Sequence, residues 1–195
     1  RWTDGPAVTF GYAQSGREVR SQTAAHAAPI CRRPTGGGIV FHTDDLTFSL
    51  IFQSAARPSV IYQQLHGHIR AALTLSGVSA CVFNQKLPAS AYAPSRQHTA
   101  NACFVNPVEN DLLTSTGAKL LGGAIRRFGT TVLYQGSLQL PGARNNPQLT
   151  QALINGIRGF LTADLRVQAA SPDVLSRARL LAQTQYHTPT WTEKF

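Results

Sequence analysis

The sequence predicts an α+β domain in which a mixed, largely antiparallel sheet is flanked by helices. Short strand patterns dominate the first half of the chain and return as three successive strands in the second half, whereas helical periodicity is confined to a central segment and the C-terminal part. A chain of 195 residues can bury a sizeable core, so we expect a single domain over residues 1–195. Because the chain begins at Arg1 and contains no methionine, we also expect that an N-terminal segment is missing.

The strands of the first half are short apolar or β-branched runs separated by turn residues. They are predicted at residues 7–12, 29–31, 39–41, 47–52 and 78–83. Residues 15–28 are polar and alanine-rich, which predicts a short helix or a loop. Residues 59–77 repeat apolar side chains at three- and four-residue steps, which predicts a helix that ends at Gly77.

The second half begins with a predicted loop over residues 86–101, which contains two prolines and is placed to cover a substrate. Three antiparallel strands are predicted next, at residues 110–114, 118–126 and 130–140, followed by a turn at residues 141–147. The last two helices are predicted at residues 149–165 and from Pro172 onward, where Ser171 is the N-cap.

The composition is that of a globular protein with acidic partners. Hydrophobic residues make up 43% of the sequence, and the net charge of +9 comes almost entirely from arginine. Because these arginines are scattered, nucleic-acid binding is not expected. No apolar run approaches the roughly 18 residues of a membrane span, so no membrane association is expected. The three widely spaced cysteines suit neither a disulfide framework nor a zinc site, which predicts a cytoplasmic protein without a metal.

Three consecutive glycines form the first candidate site, and they are Gly36, Gly37 and Gly38. Glycine in a strand-like run marks a turn or a position where another molecule approaches the backbone closely. The residues around them leave two interpretations open: a glycine-rich hairpin turn, or a cradle for an anionic or carbonyl-bearing ligand beside Arg32 and Arg33. His42 follows this run. Three roles are open for it: a general base, a hydrogen-bond donor to a ligand, or a structural residue.

Lys119 is the second candidate, because it is one of three lysines and lies in an otherwise small or apolar strand. Such a lysine either lies at the solvent-exposed end of a strand or points into a site. Gly122 and Gly123 soon after it again indicate a close approach to the backbone. Cys103 lies at a loop-to-strand junction, where it is either a nucleophile activated by a nearby lysine or a buried structural thiol.

The order and spacing of these motifs resemble a known superfamily. Residues 32–42 (RRPTGGGIVFH) and 117–127 (GAKLLGGAIRR) resemble the two signatures of the lipoate-protein ligase, octanoyltransferase and biotin-protein ligase superfamily, in which the lysine is the hallmark. Residues 134–138 resemble its following strand and residues 186–191 the end of its catalytic domain. The resemblance implies a fold related to class II aminoacyl-tRNA synthetase cores. It implies catalytic roles for Cys103 and Lys119 and substrate-binding roles for Arg32, Arg33, Thr35, Gly36, Gly37, Gly38, His42, Gly122, Gly123, Ala124, Gln135 and Gly136.

Cys103, sixteen residues before Lys119, resembles the nucleophile of the cysteine-dependent octanoyltransferases. This implies transfer of an octanoyl or lipoyl group to a lysine of a lipoyl domain through a Cys103 thioester, without a cofactor. One alternative is an ATP-dependent lipoate-protein ligase, which needs ATP and Mg²⁺ and holds a lipoyl-adenylate with Lys119. The resemblance also leaves open an amidotransferase that acts between lipoyl-type proteins, and a non-catalytic paralogue that binds a lipoyl domain or the cofactor. Gly38 and Gly123 depart from the subgroup patterns and leave the subgroup open.

The resemblance also implies partners. The donor would be acyl carrier protein or a lipoyl-type protein, and the acceptor a lipoyl domain of a 2-oxoacid dehydrogenase or the glycine cleavage H protein. Acidic carriers of this kind fit the net charge of +9. We expect Lys119 to favour the Cys103 thiolate and to stabilise an oxyanion together with the glycine N–H groups. We expect the acyl chain to occupy an apolar slot lined by Phe41, Leu46 and Leu120.

Overall fold

The computed structural model describes residues 5–24, 26–85 and 107–195 and confirms the α+β class. Its strands are β1 (Ala7–Phe10), β2 (Ile30–Arg32), β3 (Val40–His42), β4 (Leu46–Gln53), β5 (Cys81–Val82), β6 (Leu112–Leu113), β7 (Lys119–Phe128) and β8 (Thr131–Leu138). Its α-helices are α1 (Gly16–Thr23), α2 (Pro58–Leu75), α3 (Pro147–Leu161), α4 (Pro172–Leu181) and α5 (Pro189–Thr192). The predicted loop at 86–101 lies outside the described residues.

The strands form two sheets. The smaller sheet has the order β2-β1-β3, with β1 parallel to β2 and antiparallel to β3. The larger sheet has the order β4-β8-β7-β6-β5 and is antiparallel throughout. The prediction of a mixed, largely antiparallel arrangement is therefore confirmed, with the parallel pair confined to the smaller sheet.

The larger sheet has one apolar face and one polar face, because side chains alternate along a strand and directly paired residues share a face. The apolar face packs against α2 and α3 in the main core, and its central side chains are Phe48, Leu50, Ile125 and Tyr134. The opposite face carries small or polar residues in two cross-strand rows, Thr47–Ser137–Gly122 and Ser49–Gln135–Ala124. One set of three strands thus builds both the core and the floor of a cavity.

A second, smaller core joins the smaller sheet to α1. Its fully buried side chains are Val8, Phe10, Val19 and Ile39. Helix α1 begins at Ser15, whose hydroxyl accepts a hydrogen bond from the backbone N–H of Glu18. This resolves the helix-or-loop alternative for residues 15–28 in favour of a helix over eight residues.

Several element boundaries differ from the sequence prediction. Helix α3 ends at Leu161 rather than at residue 165, because Thr162 adopts a left-handed conformation with φ of 49°. Strand β5 contains only two residues of the predicted 78–83. Helix α4 starts with the predicted Ser171 cap but buries none of its side chains, and Val174 is 58% exposed. Among the described residues, no helix has the length and apolarity to cross a lipid bilayer.

Candidate active site

A cavity of about 510 Å³ lies between the two sheets. Its floor is the polar face of the larger sheet, with both cross-strand rows represented. The remaining lining comes from the smaller sheet and the segment after β2, from further positions of the larger sheet, and from the C-terminal part of the chain. These three groups are Thr9, Cys31, Arg32, Arg33, Pro34, Val40 and His42; Phe48, Gly123 and Gly136; and Tyr186. Small floor residues bring a bound molecule close to the backbone, and the apolar lining suits a hydrocarbon chain.

The structure gathers many of the predicted site residues around this cavity. Those that line it are Arg32, Arg33, His42, Gly122, Gly123, Ala124, Gln135 and Gly136. The predicted residues that belong to the described part of the chain but do not line it are Thr35, Gly36, Gly37, Gly38 and Lys119. Cys103 lies outside the described residues, so its role stays a prediction.

The glycine run is approached closely by the protein itself. A Cβ added to Gly11 would lie 1.9 Å from the carbonyl oxygen of Gly37, and Gly37 has a positive φ of 90°. The backbone after β1 therefore packs directly on the glycine run. Its neighbour Thr35 donates a hydrogen bond of 2.8 Å to Oε1 of Gln135 on the cavity floor. The glycines bring this loop against β1, and the predicted ligand cradle at Gly36–Gly38 is not where the cavity lies.

The two arginines before the glycines differ in their hydrogen-bond partners. The guanidinium of Arg32 is fully buried and donates hydrogen bonds of 2.5–2.8 Å to four backbone carbonyls, those of Tyr12, Gln14, Trp191 and Thr192. It fastens the C-terminal segment to the smaller sheet. The guanidinium of Arg33 donates to Oγ1 of Thr9 at 2.7 Å and to the carbonyls of Gly36 and Gly38. Arg33 is thus the cation that reaches a polar group of the cavity wall.

Lys119 is buried and paired with Asp111. Its Nζ lies 2.8 Å from Oδ2 of Asp111, and Asp111 also accepts a hydrogen bond from the backbone N–H of Val108. A register shift between β6 and β7 pairs Leu113 with Lys119 but Leu112 with Leu121. Such a bulge changes the direction of a side chain.

Because of that bulge, the Lys119 side chain lies over Gly122 of the cavity floor. A Cβ added to Gly122 would be 2.3 Å from Cε of Lys119 and 2.8 Å from its Nζ. The close approach that Gly122 permits is therefore made by the lysine. At Gly123 an added Cβ would likewise meet the ring and hydroxyl of Tyr134. Lys119 thus lies next to the cavity although it does not form its wall.

Below the floor, His66 connects this pair to the core. Its Nδ1 donates to the carbonyl of Asn110 at 2.6 Å, and its Nε2 accepts from the hydroxyl of Tyr134 at 2.7 Å. Burial, aided by the positive charge of Lys119, lowers the pKa of His66 to about 4. Burial also raises the pKa of the Asp111 carboxyl, which the Lys119 ammonium opposes. His66 is a neutral hydrogen-bonding residue at neutral pH.

His42 belongs to a hydrogen-bonded chain on the opposite wall. Its Nε2 lies 2.8 Å from Oγ1 of Thr9, and its Nδ1 lies 2.7 Å from Oδ2 of Asp45. The hydroxyl of Ser137 donates to the same Asp45 oxygen. This chain links the smaller sheet to the cavity floor.

The apolar slot is formed by other residues than those predicted. Leu120 is fully buried in the main core, Leu46 packs against that core, and Phe41 packs against the smaller core. None of these three side chains lines the cavity, so the prediction that they form the slot is wrong. Val40 and Phe48, their neighbours along the strands, line the cavity instead.

Cys31 also lines the cavity and is partly buried. Burial raises the pKa of its thiol, an effect that the nearby Arg33 charge opposes. A thiol with a raised pKa is a poor nucleophile at neutral pH.

Comparison with known proteins assigns the chain to one family. Residues 1–156 match the sequence profile described as the lipoyl protein ligase A/B catalytic domain. The chain belongs to this family. The predicted superfamily is thereby confirmed.

Curated relatives of the domain are octanoyltransferases. It is 30% identical over 140 residues to the octanoyltransferase LipM of Symbiobacterium thermophilum, a match covering 69% of this chain and 50% of the relative. It is 29% identical over 147 residues to LipM of Oceanobacillus iheyensis, covering 72% of this chain and 50% of the relative. The chain therefore spans about half the length of the curated relatives it matches.

Solved structures agree with the fold of this lipoyl protein ligase A/B domain. A Thermoplasma acidophilum protein described as a candidate lipoate protein ligase, with bound lipoic acid, superposes with a TM-score of 0.75 at 19% identity, covering 98% of this chain and 83% of its own. A lipoate-protein ligase A bound with ATP superposes with a TM-score of 0.74 at 20% identity, covering 97% and 82%. At these identities the likeness extends to the fold alone.

The sequence patterns did not single out several polar residues that build the site of this family member. These residues are Thr9, Asp45, Asp111 and Ser137. Asp45 had a local signal, since it follows His42 by three residues within a turn. Thr9 and Asp111 had none, because their partners come from other strands.

Proposed function

We propose that this domain transfers an octanoyl group from acyl carrier protein to a lysine of a lipoyl domain, with Cys103 as the intermediate acyl carrier. Membership of the lipoyl protein ligase A/B catalytic family and two relatives named octanoyltransferase support this reaction. The spacing of Cys103 from Lys119 supports the choice of nucleophile.

The observation that carries the proposal is the position of Lys119. Its ammonium is held by Asp111 and lies against Gly122 of the cavity floor, so a fixed positive charge borders the cavity. A cation held before the reaction starts stabilises negative charge that develops on an acyl oxygen or a thiolate, and removing one such group typically lowers kcat about 10²–10³-fold. Lys119 is placed for that role.

The cavity suits an acyl chain. Its volume of about 510 Å³ falls within the range of small-molecule sites. Val40, Pro34 and Phe48 supply apolar walls for such a chain.

The reaction proceeds in two balanced exchanges. The Cys103 thiolate attacks the thioester carbon of the donor, a new C–S bond forms, and the thiolate of the carrier's prosthetic group leaves. The neutral amine of the acceptor lysine then attacks the enzyme thioester. A C–N bond forms, the Cys103 thiolate leaves, and one amine proton is given up to a base. Each step replaces one activated acyl bond by another or by an amide, so no nucleotide is consumed.

Charge supports acidic carriers as partners. The chain has a net charge of +9, and acidic domains would be attracted to it over a Debye length of about 8 Å at physiological salt. A structural relative from Thermoplasma acidophilum is described as a bipartite lipoate protein ligase with its E2 lipoyl domain, which supports a lipoyl domain as acceptor. Carriers of both kinds would meet this domain in the cytoplasm.

The ligase reaction is the second candidate, and it would need ATP and Mg²⁺. The two guanidinium groups that line the cavity, Arg32 and Arg33, donate to protein oxygens already. The residues that are described fit an acyl chain better than a triphosphate, so we derive no step through ATP.

Intact-protein mass spectrometry tests the proposal. The protein mixed with octanoyl acyl carrier protein, without ATP, should gain the mass of one octanoyl group, and Cys103→Ala should gain none. Cys81→Ala is the matched control, because this cysteine is exposed outside the cavity and its loss should leave the adduct intact. Loss of the adduct in Cys31→Ala instead would reassign the nucleophile. Product formation only from free octanoate or lipoate with ATP would establish the ligase.

A further inference from the structure

The cavity floor continues beyond the cavity as an exposed sheet face. Along β4, β8 and β7, the two rows of the cavity floor are followed by a third row, Ile51–Leu133–Arg126, and by Phe128 in the fourth. Because directly paired residues share a face and alternate residues return to it, these side chains lie on the cavity side of the sheet. Ile51 is 75% exposed and Phe128 is 56% exposed. The sheet therefore presents exposed apolar side chains next to the cavity floor.

Arg126 joins this face to the cavity wall. Its Nη1 donates a hydrogen bond of 2.9 Å to the carbonyl of Pro34, which lines the cavity. The same guanidinium lies 4.6 Å from the ring centroid of Tyr12 and 5.2 Å from that of Phe128, so cation–π contacts hold it in place. We refer to the following residues as the rim surface: Tyr12, Ile51, Arg126, Phe128 and Leu133.

A line of aromatic rings also runs from the cavity to the rim surface. Tyr186, which lines the cavity, packs edge-on against Trp191 with a centroid distance of 5.0 Å. Trp191 in turn lies 5.7 Å from the ring of Tyr12. Tyrosine, tryptophan, phenylalanine and arginine are enriched at protein interfaces, and three of these types dominate binding energy there. The rim surface therefore has the composition of a protein-binding site that begins at the cavity.

The rim surface lies in a positively charged environment. Lys194 donates a hydrogen bond to the hydroxyl of Tyr12, and its ammonium lies 4.8 Å from the centroid of that ring. The hydrogen bond from Lys194 is the main cause of a lowered pKa at Tyr12, and the charge of Arg126 acts in the same direction. Within the described ranges, neither cation forms an ion pair with a carboxylate, and the nearby Glu193 is paired with Arg20. These two cations would attract a partner rich in carboxylates.

We propose that the rim surface docks the acidic lipoyl domain whose lysine accepts the acyl group. The inference rests on the proposed function, which supplies the lipoyl domain as acceptor. The amine of a lysine stands on a short aliphatic stem, so it enters the cavity only when its own domain lies against the cavity rim. A donor that carries its acyl group on a long prosthetic arm has no such requirement. In this docking, Arg126 meets carboxylates of the lipoyl domain, and Ile51 and Phe128 meet its apolar side chains.

NMR titration of an isotope-labelled, unmodified E2 lipoyl domain with the full 195-residue chain measures this docking without turnover. Arg126→Glu should raise the dissociation constant about tenfold or more, because it replaces an attraction to carboxylates by a repulsion. Ile51→Thr keeps a β-branched residue in the strand and should raise the dissociation constant about threefold through lost apolar contact. Added salt should weaken binding of the wild type more than binding of Arg126→Glu.

Arg70→Glu is the matched control for charge. Arg70 is an exposed residue of α2, which packs against the opposite face of the larger sheet. Its reversal changes the net charge as Arg126→Glu does, but at physiological salt it should alter the dissociation constant less than about twofold. Denaturant unfolding verifies that each variant is folded, and Ile51→Thr, at an exposed position, carries the test if Arg126→Glu is not.

The outcomes separate the inference from the proposed function. Equal weakening by Arg126→Glu and Arg70→Glu would mean that net charge alone attracts the lipoyl domain. Unchanged binding in both rim variants, or no binding by the wild type, would place the acceptor elsewhere, and weakened binding of acyl carrier protein alone would assign the surface to the donor. Each of these results overturns the inference while the proposed function stands. Docking that depends on the rim surface in a protein that transfers no octanoyl group would instead uphold the surface and overturn the proposed function.

Discussion

The Lys119 ammonium lies 2.8 Å from the Asp111 carboxylate, and their side chains are only 2% and 3% exposed. An ion pair so deeply buried carries a desolvation penalty that its attraction offsets only while both partners are present. Desolvation is the larger influence on the Asp111 carboxyl and raises its pKa, with Lys119 acting in the opposite direction. The position of the lysine at the cavity floor therefore depends on a residue that does not touch the cavity.

Asp111→Asn should remove activity and stability together. It leaves the Lys119 ammonium buried without a counter-charge, which typically destabilises a protein by about 3–5 kcal/mol. Denaturant unfolding measures the stability and octanoyl-enzyme formation the activity. The double variant Asp111→Leu with Lys119→Met should recover much of the stability but none of the activity. Equal stabilities of the single and double variants would contradict the burial argument.

Gly122→Ala should separate activity from stability. The new Cβ would lie 2.3 Å from Cε of Lys119, the far part of a flexible side chain that can move aside. We therefore expect a loss of only about 1 kcal/mol in stability, as for a typical substitution, but a decrease of about 10²-fold in the rate of acyl transfer. Gly67→Ala is the control, since an added Cβ there meets nothing within 4 Å and should not affect the rate. An unchanged rate in Gly122→Ala would mean that the position of Lys119 does not affect acyl transfer.

The sequence could predict the fold and the neighbourhood of the site, because these depend on local patterns. Apolar periodicity identified α2, and the successive antiparallel strands predicted at residues 118–126 and 130–140 correspond to the paired β7 and β8. The motif residues of those strands form much of the cavity floor. Local signals were sufficient wherever the strand itself positions the residue.

The same patterns could not predict what approaches each glycine or what each charge pairs with. Gly122 was identified as a position of close approach and Gly37 as either a turn or such a position, but the groups that approach them are Lys119 and the backbone of Gly11. Asp111 was assigned only to a strand, because the bulge that turns Lys119 toward it exists only after β6 and β7 pair. Partners brought together by tertiary structure leave no spacing signal in the chain.

The glycine run offers a direct test of its packing role. Gly11→Ala would place a Cβ 1.9 Å from the backbone oxygen of Gly37, and neither backbone can move aside cheaply. We expect a destabilisation of about 2–4 kcal/mol, measured by denaturant unfolding, as for other severe steric conflicts. Gly36→Ala meets nothing within 4 Å and should change stability by less than about 1 kcal/mol. Equal effects of the two variants would contradict this packing.

Acid should destabilise the fold through His66. Its folded-state pKa of about 4 lies below the ordinary value of 6.5, because burial disfavours the charged imidazole. The unfolded chain therefore binds the proton more tightly, so this contribution to stability is full above pH 6.5 and is lost as the pH falls toward 4, by up to about 3 kcal/mol. The raised pKa of Asp111 has the opposite effect on stability, because the folded protein binds the Asp111 proton more tightly than the unfolded chain does. Unfolding free energies of wild type and His66→Gln across this window should differ by a pH-dependent amount that shrinks toward pH 4. A constant difference would show that His66 takes up its proton as readily in the folded protein as in the unfolded chain.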